Sequence, residues 1–600
     1  MALDGTRMEL VLSTDEAMNF KRWLGERHEN DAIAVDTETT GLDPRAPDAK
    51  IRLIQFGDTM TGWSIPWEDW RGLAMEALRQ YEGQCVYHNL AFELKWLHQH
   101  APNGYRVPRD RSVDTMIAAH IINPLGSGAL KTLSRKYVDS DAASGQSILD
   151  AGMADNGWTW ATVPVTYDPY WFYAATDAVL TARLWDRFKN QVGPGAEYAD
   201  VFDLEMAVRF IVSRMEEHGA SVDVSYAKQQ FIALEQEAST VEKWADAAFG
   251  INIASNDQLG RKLVELGGEL LDKTKTGKDK VDKFTLQVLR DPENGYPAAV
   301  QILAEQALRA RRARKFASTY FRNFVEKSYG GLLHADVRTL GARTGRMSVA
   351  NPPLQQLPKG NALVRNAFVP SEGNVLVTAD YSQIEMRLVA EASGDTGLIE
   401  AFRTADATGG DFFVEMGKQI YADPHFQKSD KRRGLIKNTM YGKAYGAGPA
   451  KMAESAGVPV ARMEAVVRTI EERFPGLTEF MQSIESDGWE RQKRTGQGYV
   501  VTPLGRRLPA DENRLYALTN YYVQSWAADV LKKALVRLDA AGYDSFMVLP
   551  VHDEIVIDIP TEYAEQAERD VPLLMQELDH DIPLTADADG GLLRWGQKYE

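Results

Sequence analysis

The sequence predicts a multidomain protein of mixed α/β and α+β class. Three observations carry this expectation. A chain of 600 residues is longer than a single hydrophobic core organises. Up to about Gly195, strand-like and helix-like segments alternate, the pattern of an α/β layer. The rest is rich in helix formers but is interrupted by two apolar, β-branched runs, Val375–Ala379, followed directly by Asp380, and Phe546–Ile559, which carries acids.

Composition narrows the class. Hydrophobic content of 44% and charged content of 26% are those of a soluble globular protein. No apolar run reaches membrane-spanning length, and the first twenty or so residues lack a secretory pattern, so a cytoplasmic location is expected. The single cysteine, Cys85, excludes an internal disulfide and a Cys-based zinc site, and reads as a small buried apolar residue. A net charge of −17 argues against a uniform basic coat for nucleic acid, but leaves room for local basic channels.

In the first region, Ala32–Asp36, Ile51–Phe56 and Gln84–Tyr87 read as strands. The first is followed by a turn-like stretch containing Glu38. The third leads into a helix opened by His88-Asn89-Leu90-Ala91-Phe92-Glu93. Tyr170–Phe188 reads as a helix with Tyr173 and Asp177 one turn apart on one face. Asp36, Glu38, Glu93 and Asp177 are four acids that could converge on metal ions. Singly each is ordinary: a strand-end cap, a turn acid, two solvated helix acids. Gln191–Gly195 reads as a linker.

Beyond it, Ala196–Phe249, Asn256–Gly267 and Ala298–Lys327 read as helical. Between them lies a basic, glycine-containing tip, Lys273–Lys280. Arg309, Arg311, Arg312, Arg314 and Lys315 form a denser cationic cluster, which is either a DNA-facing surface or a face balanced by acids.

Val375–Ala379 is expected to be a buried strand ended by Asp380, with a helix from Gln383 onward. A lone Asp after a strand is most often a helix cap. Phe546–Ile559 is expected to form a β-hairpin with His552, Asp553 and Glu554 at its tip. If hairpin and strand are neighbours, Asp380 and Asp553 can share two divalent ions roughly 4 Å apart, an arrangement suited to in-line phosphoryl transfer. In Lys431–Gly446, residues Arg433, Lys437 and Tyr441 recur every fourth position and line one helix face, which could receive a triphosphate or be a solvated cationic face.

The stretches Val375–Leu388, Phe546–Ile559 and Lys431–Gly446 closely resemble the catalytic palm and fingers motifs of family A DNA polymerases. The set Asp36, Glu38, Glu93, Tyr173 and Asp177 resembles the DEDD group of 3′–5′ proofreading exonucleases, in the subclass with a tyrosine. The resemblance implies a ribonuclease H-like exonuclease domain over 1–195 and a right-hand polymerase beyond it. That polymerase would comprise a thumb over 196–335, palm over 336–400 and 520–600, and fingers over 401–519.

It further implies Mg²⁺ as cofactor, two ions per centre with Mn²⁺ able to substitute, held by Asp380, Tyr381 and Asp553 and by Asp36, Glu38 and Asp177. It makes primer–template DNA and dNTPs the partners of a monomer. Gln383, Glu385, Arg433, Lys437 and Tyr441 would meet the dNTP, with Glu385 as the steric gate against ribose. Arg346, Tyr445, Gln524 and His552 would meet DNA. The length and the lack of a recognisable 5′-nuclease segment point to a phage replicative enzyme.

Two positions depart from the family pattern: Glu93 stands where Asp is usual, and Phe413 where a triphosphate-binding His is usual. The alternatives are a 3′–5′ exonuclease whose C-terminal region only binds DNA, and an inactive DNA-binding scaffold.

Overall fold

The computed structural model describes residues 5–270, 272–274, 276–358, 361–512 and 514–600. Lys275, in the predicted basic tip, lies outside them, as do residues 1–4.

The N-terminal region is built on a six-stranded sheet: β1 (Arg7–Leu10), β2 (Ala32–Thr39), β3 (Ile51–Gly57), β4 (Thr61–Pro66), β5 (Gln84–Tyr87) and β6 (Ser112–Asp114), in spatial order β1-β4-β3-β2-β5-β6. β2, β3 and β4 form an antiparallel meander, while β5 and β6 add in parallel beyond β2. β2 continues past the expected end at Asp36, because β3 pairs with it as far as Thr39. Glu38 is therefore a strand residue, not a turn residue. Asp36 and Glu38, two apart, project from the same face, while Thr37 and Thr39 are buried on the other.

The helix Asp168–Val192 packs on this sheet through small residues, among them Ala174, Ala175 and Ala178. Its approach is close: a Cβ at Gly62 would come within 2.3 Å of the Ala175 carbonyl oxygen. The predicted linker is instead a tight turn. The helix runs to Val192, and the Tyr198 N–H returns to the Gln191 carbonyl at 3.0 Å. The next helix, Ala199–His218, starts in the core of the sheet with Val201 and Phe202 and finishes in the core of the C-terminal region with Ile211 and Met215.

Two long helices, Val224–Phe249 and Ala298–Lys315, pack together and carry a separate small core at their tip, with Val241, Ile251, Leu263 and Leu303. The cationic cluster on the second helix is partly matched by acids within the chain. Arg309 pairs with Glu237, and Arg314 with Glu235 and Glu242. The basic tip is likewise tied to acids: Lys273 to Asp279, Lys278 to Asp257, and Lys280 to Asp272 and Asp282.

The C-terminal region centres on a four-stranded antiparallel sheet of Met547–Val551, Glu554–Pro560, Asn374–Tyr381 and Ala586–Leu592, in that spatial order. The central strand carries Asp380 inside it, because partners on both sides extend the pairing beyond Ala379. The helices Thr396–Thr408 through Pro475–Thr495 form an all-helical subdomain inserted between the strands of this sheet.

Candidate active sites

In the N-terminal region, carboxylate oxygens of Asp36, Glu38 and Asp177 lie within 4.8 Å of one another. β2 supplies the first two acids and the long helix the third. Burial makes Asp36 and Glu38 hold their protons more tightly. Burial, only partly offset by Lys131, raises the Asp36 carboxyl to about 6. Burial and then the charge of Asp36 raise Glu38 to about 8, against Lys131.

Glu93 is 1% exposed, and its Oε2 has no hydrogen-bond partner among the described residues. Burial, followed by the charge of Asp36, lifts its pKa well above the ordinary value. It borders the cluster without belonging to the group of three. Asp114 has a structural role: its carboxylate accepts from the backbone N–H groups of Asn89, Leu90 and Met116 at 3.1, 2.9 and 2.8 Å, which fixes the start of the helix bearing Glu93.

Lys131 was not foreseen here. Its ammonium pairs with Asp177 and lies 4.2 Å from the centroid of the Tyr173 ring.

In the C-terminal region, the hairpin brings Asp553 to the end of the central strand. The Tyr381 N–H donates to the Asp553 carbonyl at 3.4 Å, and Asp380 stands opposite Glu554 in the ladder. Burial raises the pKa of Asp380, Lys598 opposes the rise, and Asp553 and Asp589 add to it. Lys598 reaches Asp380 at 2.6 Å, Glu554 at 3.3 Å and Asp589 at 3.5 Å. It sits on the 3₁₀ turn Trp595–Tyr599, anchored by buried Trp595, whose Nε1 donates to Glu554 at 3.1 Å.

Two residues beside these acids hold left-handed backbone conformations that side chains disfavour: His552 (φ 59°) and Gln383 (φ 56°). Asn89 (φ 68°) does the same beside the helix bearing Glu93. Strain of this kind concentrates at working sites. The Tyr381 hydroxyl is engaged by the Met575 carbonyl at 2.5 Å, so the backbone carbonyl is what Tyr381 offers a cation.

Glu385 pairs with Arg346, not with Arg387, and accepts from the Tyr445 hydroxyl. Arg387 instead grips Asp406 with two bonds of 2.7 and 2.8 Å. On the helix Lys431–Ala444, Arg433, Lys437 and Tyr441 share a face around buried Phe413. Arg433 pairs with Asp411, and the Tyr441 ring lies tilted against Phe413 at 6.2 Å and Tyr445 at 6.0 Å between centroids. Gln524 is half-buried on the helix Leu518–Ala540, and His552 is exposed at the hairpin tip.

Hard carboxylate oxygens suit Mg²⁺ or Mn²⁺, and a lysine ammonium lies against each acid set, Lys131 on Asp177 and Lys598 on Asp380. A mixed sheet with an acid cluster, followed by an antiparallel sheet whose hairpin joins two distant acids, is the build of a polymerase carrying its own nuclease.

Comparison with known proteins agrees. Residues 224–597 match the model of DNA polymerase family A, and residues 11–193 that of a 3′–5′ exonuclease. The DNA polymerase of Mycobacterium phage D29 is 30% identical over 95% of this chain and 94% of its own length. DNA polymerase I of Pseudomonas aeruginosa is 28% identical over 95% of this chain and 64% of its own. The polymerase domain of Pol1 from M. smegmatis, solved with DNA primer-template and dNTP, superposes with a TM-score of 0.79 at 24% identity, covering 98% of this chain and 99% of that one, and so shares the fold. The chain belongs to DNA polymerase family A and has a 3′–5′ exonuclease domain ahead of its polymerase region.

Proposed function

We propose that the chain extends a DNA primer at the Asp380–Asp553 centre and removes misincorporated 3′ nucleotides at the Asp36–Glu38–Asp177 centre. The observation that supports this most is the meeting of Asp380 and Asp553 at one sheet end, from strands far apart in sequence. Primer–template DNA and dNTPs, named for the M. smegmatis neighbour, are taken as the partners here too. We assign 1–195 to the exonuclease, 196–335 to the thumb, 336–400 and 520–600 to the palm and 401–519 to the fingers.

Asp380, the Tyr381 carbonyl and Asp553 would hold Mg²⁺ in the polymerase, and Asp36, Glu38 and Asp177 in the exonuclease, with Mn²⁺ able to replace it. When bound, such ions acidify the attacking hydroxyl or water and neutralise the leaving oxygen. The residues of the chain do the rest. Arg433, released from Asp411, and Lys437 bind the triphosphate, with Gln383 beside it. Phe413 donates no hydrogen bond, so these two cations carry that load alone.

Tyr441 packs on the incoming nucleotide, and Tyr445 stacks near the templating base. Glu385, held by Arg346 and Tyr445, closes the space of a 2′-hydroxyl. Arg346 and Gln524 probe minor-groove acceptors, which look alike on all correct pairs. His552 meets the primer terminus. Tyr173 orients the water that attacks the terminal phosphodiester, and Glu93 supports Asp36.

Primer extension with four dNTPs and Mg²⁺ tests the assignment. Asp553→Ala is expected to abolish extension while 3′ degradation continues, and Asp36→Ala to do the reverse. Degradation without extension by the natural chain would instead favour a nuclease with a DNA-binding C-terminal region.

A further inference from the structure

Lys131 occupies a position that ordinary stability does not favour. It lies in the first turn of the helix Leu130–Tyr137. There the helix dipole disfavours a cation. Its side chain is only 17% exposed, so the ammonium has also lost most of its water.

The segment before it is fixed from outside. His88 bridges the Thr115 hydroxyl at 2.8 Å and the Gly128 carbonyl at 2.9 Å, which ties the approach to Lys131 to the strand end that leads to Glu93. The ammonium thus has a set address, against Asp177 and over the Tyr173 ring, facing Asp36 and Glu38. No salt bridge joins Lys131 to an acid outside this centre among the described residues.

We propose that Lys131 is a catalytic residue of the exonuclease, its ammonium passing from Asp177 to a non-bridging oxygen of the terminal phosphodiester when DNA enters. This rests on the reading of this centre as a 3′–5′ exonuclease. In the reaction, the water oxygen bonds to phosphorus and gives up a proton, the bond from phosphorus to the 3′-oxygen breaks, and that oxygen takes up a proton in turn. The phosphorane between these steps carries extra negative charge on its non-bridging oxygens, and a fixed ammonium stabilises it more than it stabilises the ground state. The contact with the Tyr173 ring holds phosphate, ammonium and the water-orienting hydroxyl in one arrangement.

The test uses the full chain with Lys131→Met and Lys131→Arg. Two readouts are followed: the single-turnover rate of 3′ nucleotide removal from a single-stranded oligonucleotide, and Mn²⁺ binding by electron paramagnetic resonance titration. For Lys131→Met the rate is expected to fall on the order of 10²-fold. Its Mn²⁺ affinity is expected to hold or rise, since a competing cation is gone. Methylammonium should restore part of the rate, and Lys131→Arg should retain more rate than Lys131→Met. Unchanged degradation by Lys131→Met overturns the proposal. So does a lower rate accompanied by weaker Mn²⁺ binding and no rescue, which marks a merely structural lysine. If the natural chain leaves the oligonucleotide intact in both Mg²⁺ and Mn²⁺, the exonuclease reading itself fails.

Discussion

The ammonium of Lys598 lies 2.6 Å from a carboxylate oxygen of Asp380, across 218 residues of sequence. The C-terminal turn thus borders the centre proposed for the polymerase, pinned there by Trp595 and by Arg365, whose guanidinium lies 4.6 Å from the Trp595 ring and 4.8 Å from the Tyr599 ring. Burial raises the Asp380 carboxyl and Lys598 opposes the rise. Removing the ammonium with Lys598→Met therefore lifts that pKa further, and a larger share of Asp380 is protonated on the acid side of neutrality. The acid limb of the extension profile should move to higher pH. A shift of about one unit costs roughly tenfold in rate at its foot. Primer-extension rates from pH 6 to 9 for both chains check this, and parallel profiles would refute it.

Tyr441 lies beside Phe413 and Tyr445, on the helix face proposed to receive the triphosphate. Its hydroxyl can replace the contact that a dideoxynucleotide lacks at its 3′ position. The natural chain should terminate efficiently on dideoxynucleotides. Tyr441→Phe should raise discrimination against them by about 10- to 100-fold, the value of 1.5–3 kcal/mol for a hydrogen bond to a charged group. Ratios of kcat/KM for paired nucleotides decide it, and strong discrimination by the natural chain would count against this assignment of the helix.

Asp36 and Glu38 hold their protons to about 6 and about 8, against 3.8 and 4.5 for the free groups. The folded, ion-free state therefore binds protons more tightly than the unfolded one. By linkage its stability falls as pH rises through those values. Mg²⁺ must displace the same protons, so it binds more tightly as pH rises. Thermal melts with Mg²⁺ and with EDTA should show a larger stabilisation by Mg²⁺ at pH 8 than at pH 6. Asp36→Asn should shrink the difference, and equal stabilisation at both pH values would contradict these assignments.

Most of what organises the two centres can be read along the chain, because it rests on local pattern: apolar runs followed by acids, and a helix with Tyr173 and Asp177 one turn apart. What could not be read is long-range. β2 continues through Glu38 because β3 pairs with it, and no local preference reveals that partner. The short strands Arg7–Leu10 and Thr61–Pro66 were likewise not anticipated, since their identity comes from pairing with each other. The arginines near residue 312 look free in sequence, yet the acids that meet them sit on a helix some 70 residues earlier. Lys131 and Lys598 belong to no motif. A cation in the first turn of a helix was the available signal for Lys131, and none marked Lys598.

A buried charged cluster ties the helix Ala199–His218 to the C-terminal region, and its two halves should fail differently. Glu205, fully buried, accepts from Lys532 at 2.5 Å and from Arg506, which also donates to Asp529 at 2.8 Å. Lys532 in turn donates to the Gly345 carbonyl at 2.6 Å, bracing the loop that presents Arg346 to Glu385. Glu205→Gln leaves buried Lys532 with no ion-pair partner among the described residues and Arg506 with Asp529 alone, and should destabilise by about 3–5 kcal/mol. Lys532→Met leaves Glu205 still paired with Arg506 and orphans one carbonyl, a cost of about 1–3 kcal/mol. Yet it removes the only described side-chain bond to that carbonyl. In melts Glu205→Gln should be the worse variant, and in single-turnover extension at low temperature Lys532→Met should be the worse one. The same ranking in both measurements would show that the cluster holds that helix to the C-terminal region without positioning Arg346.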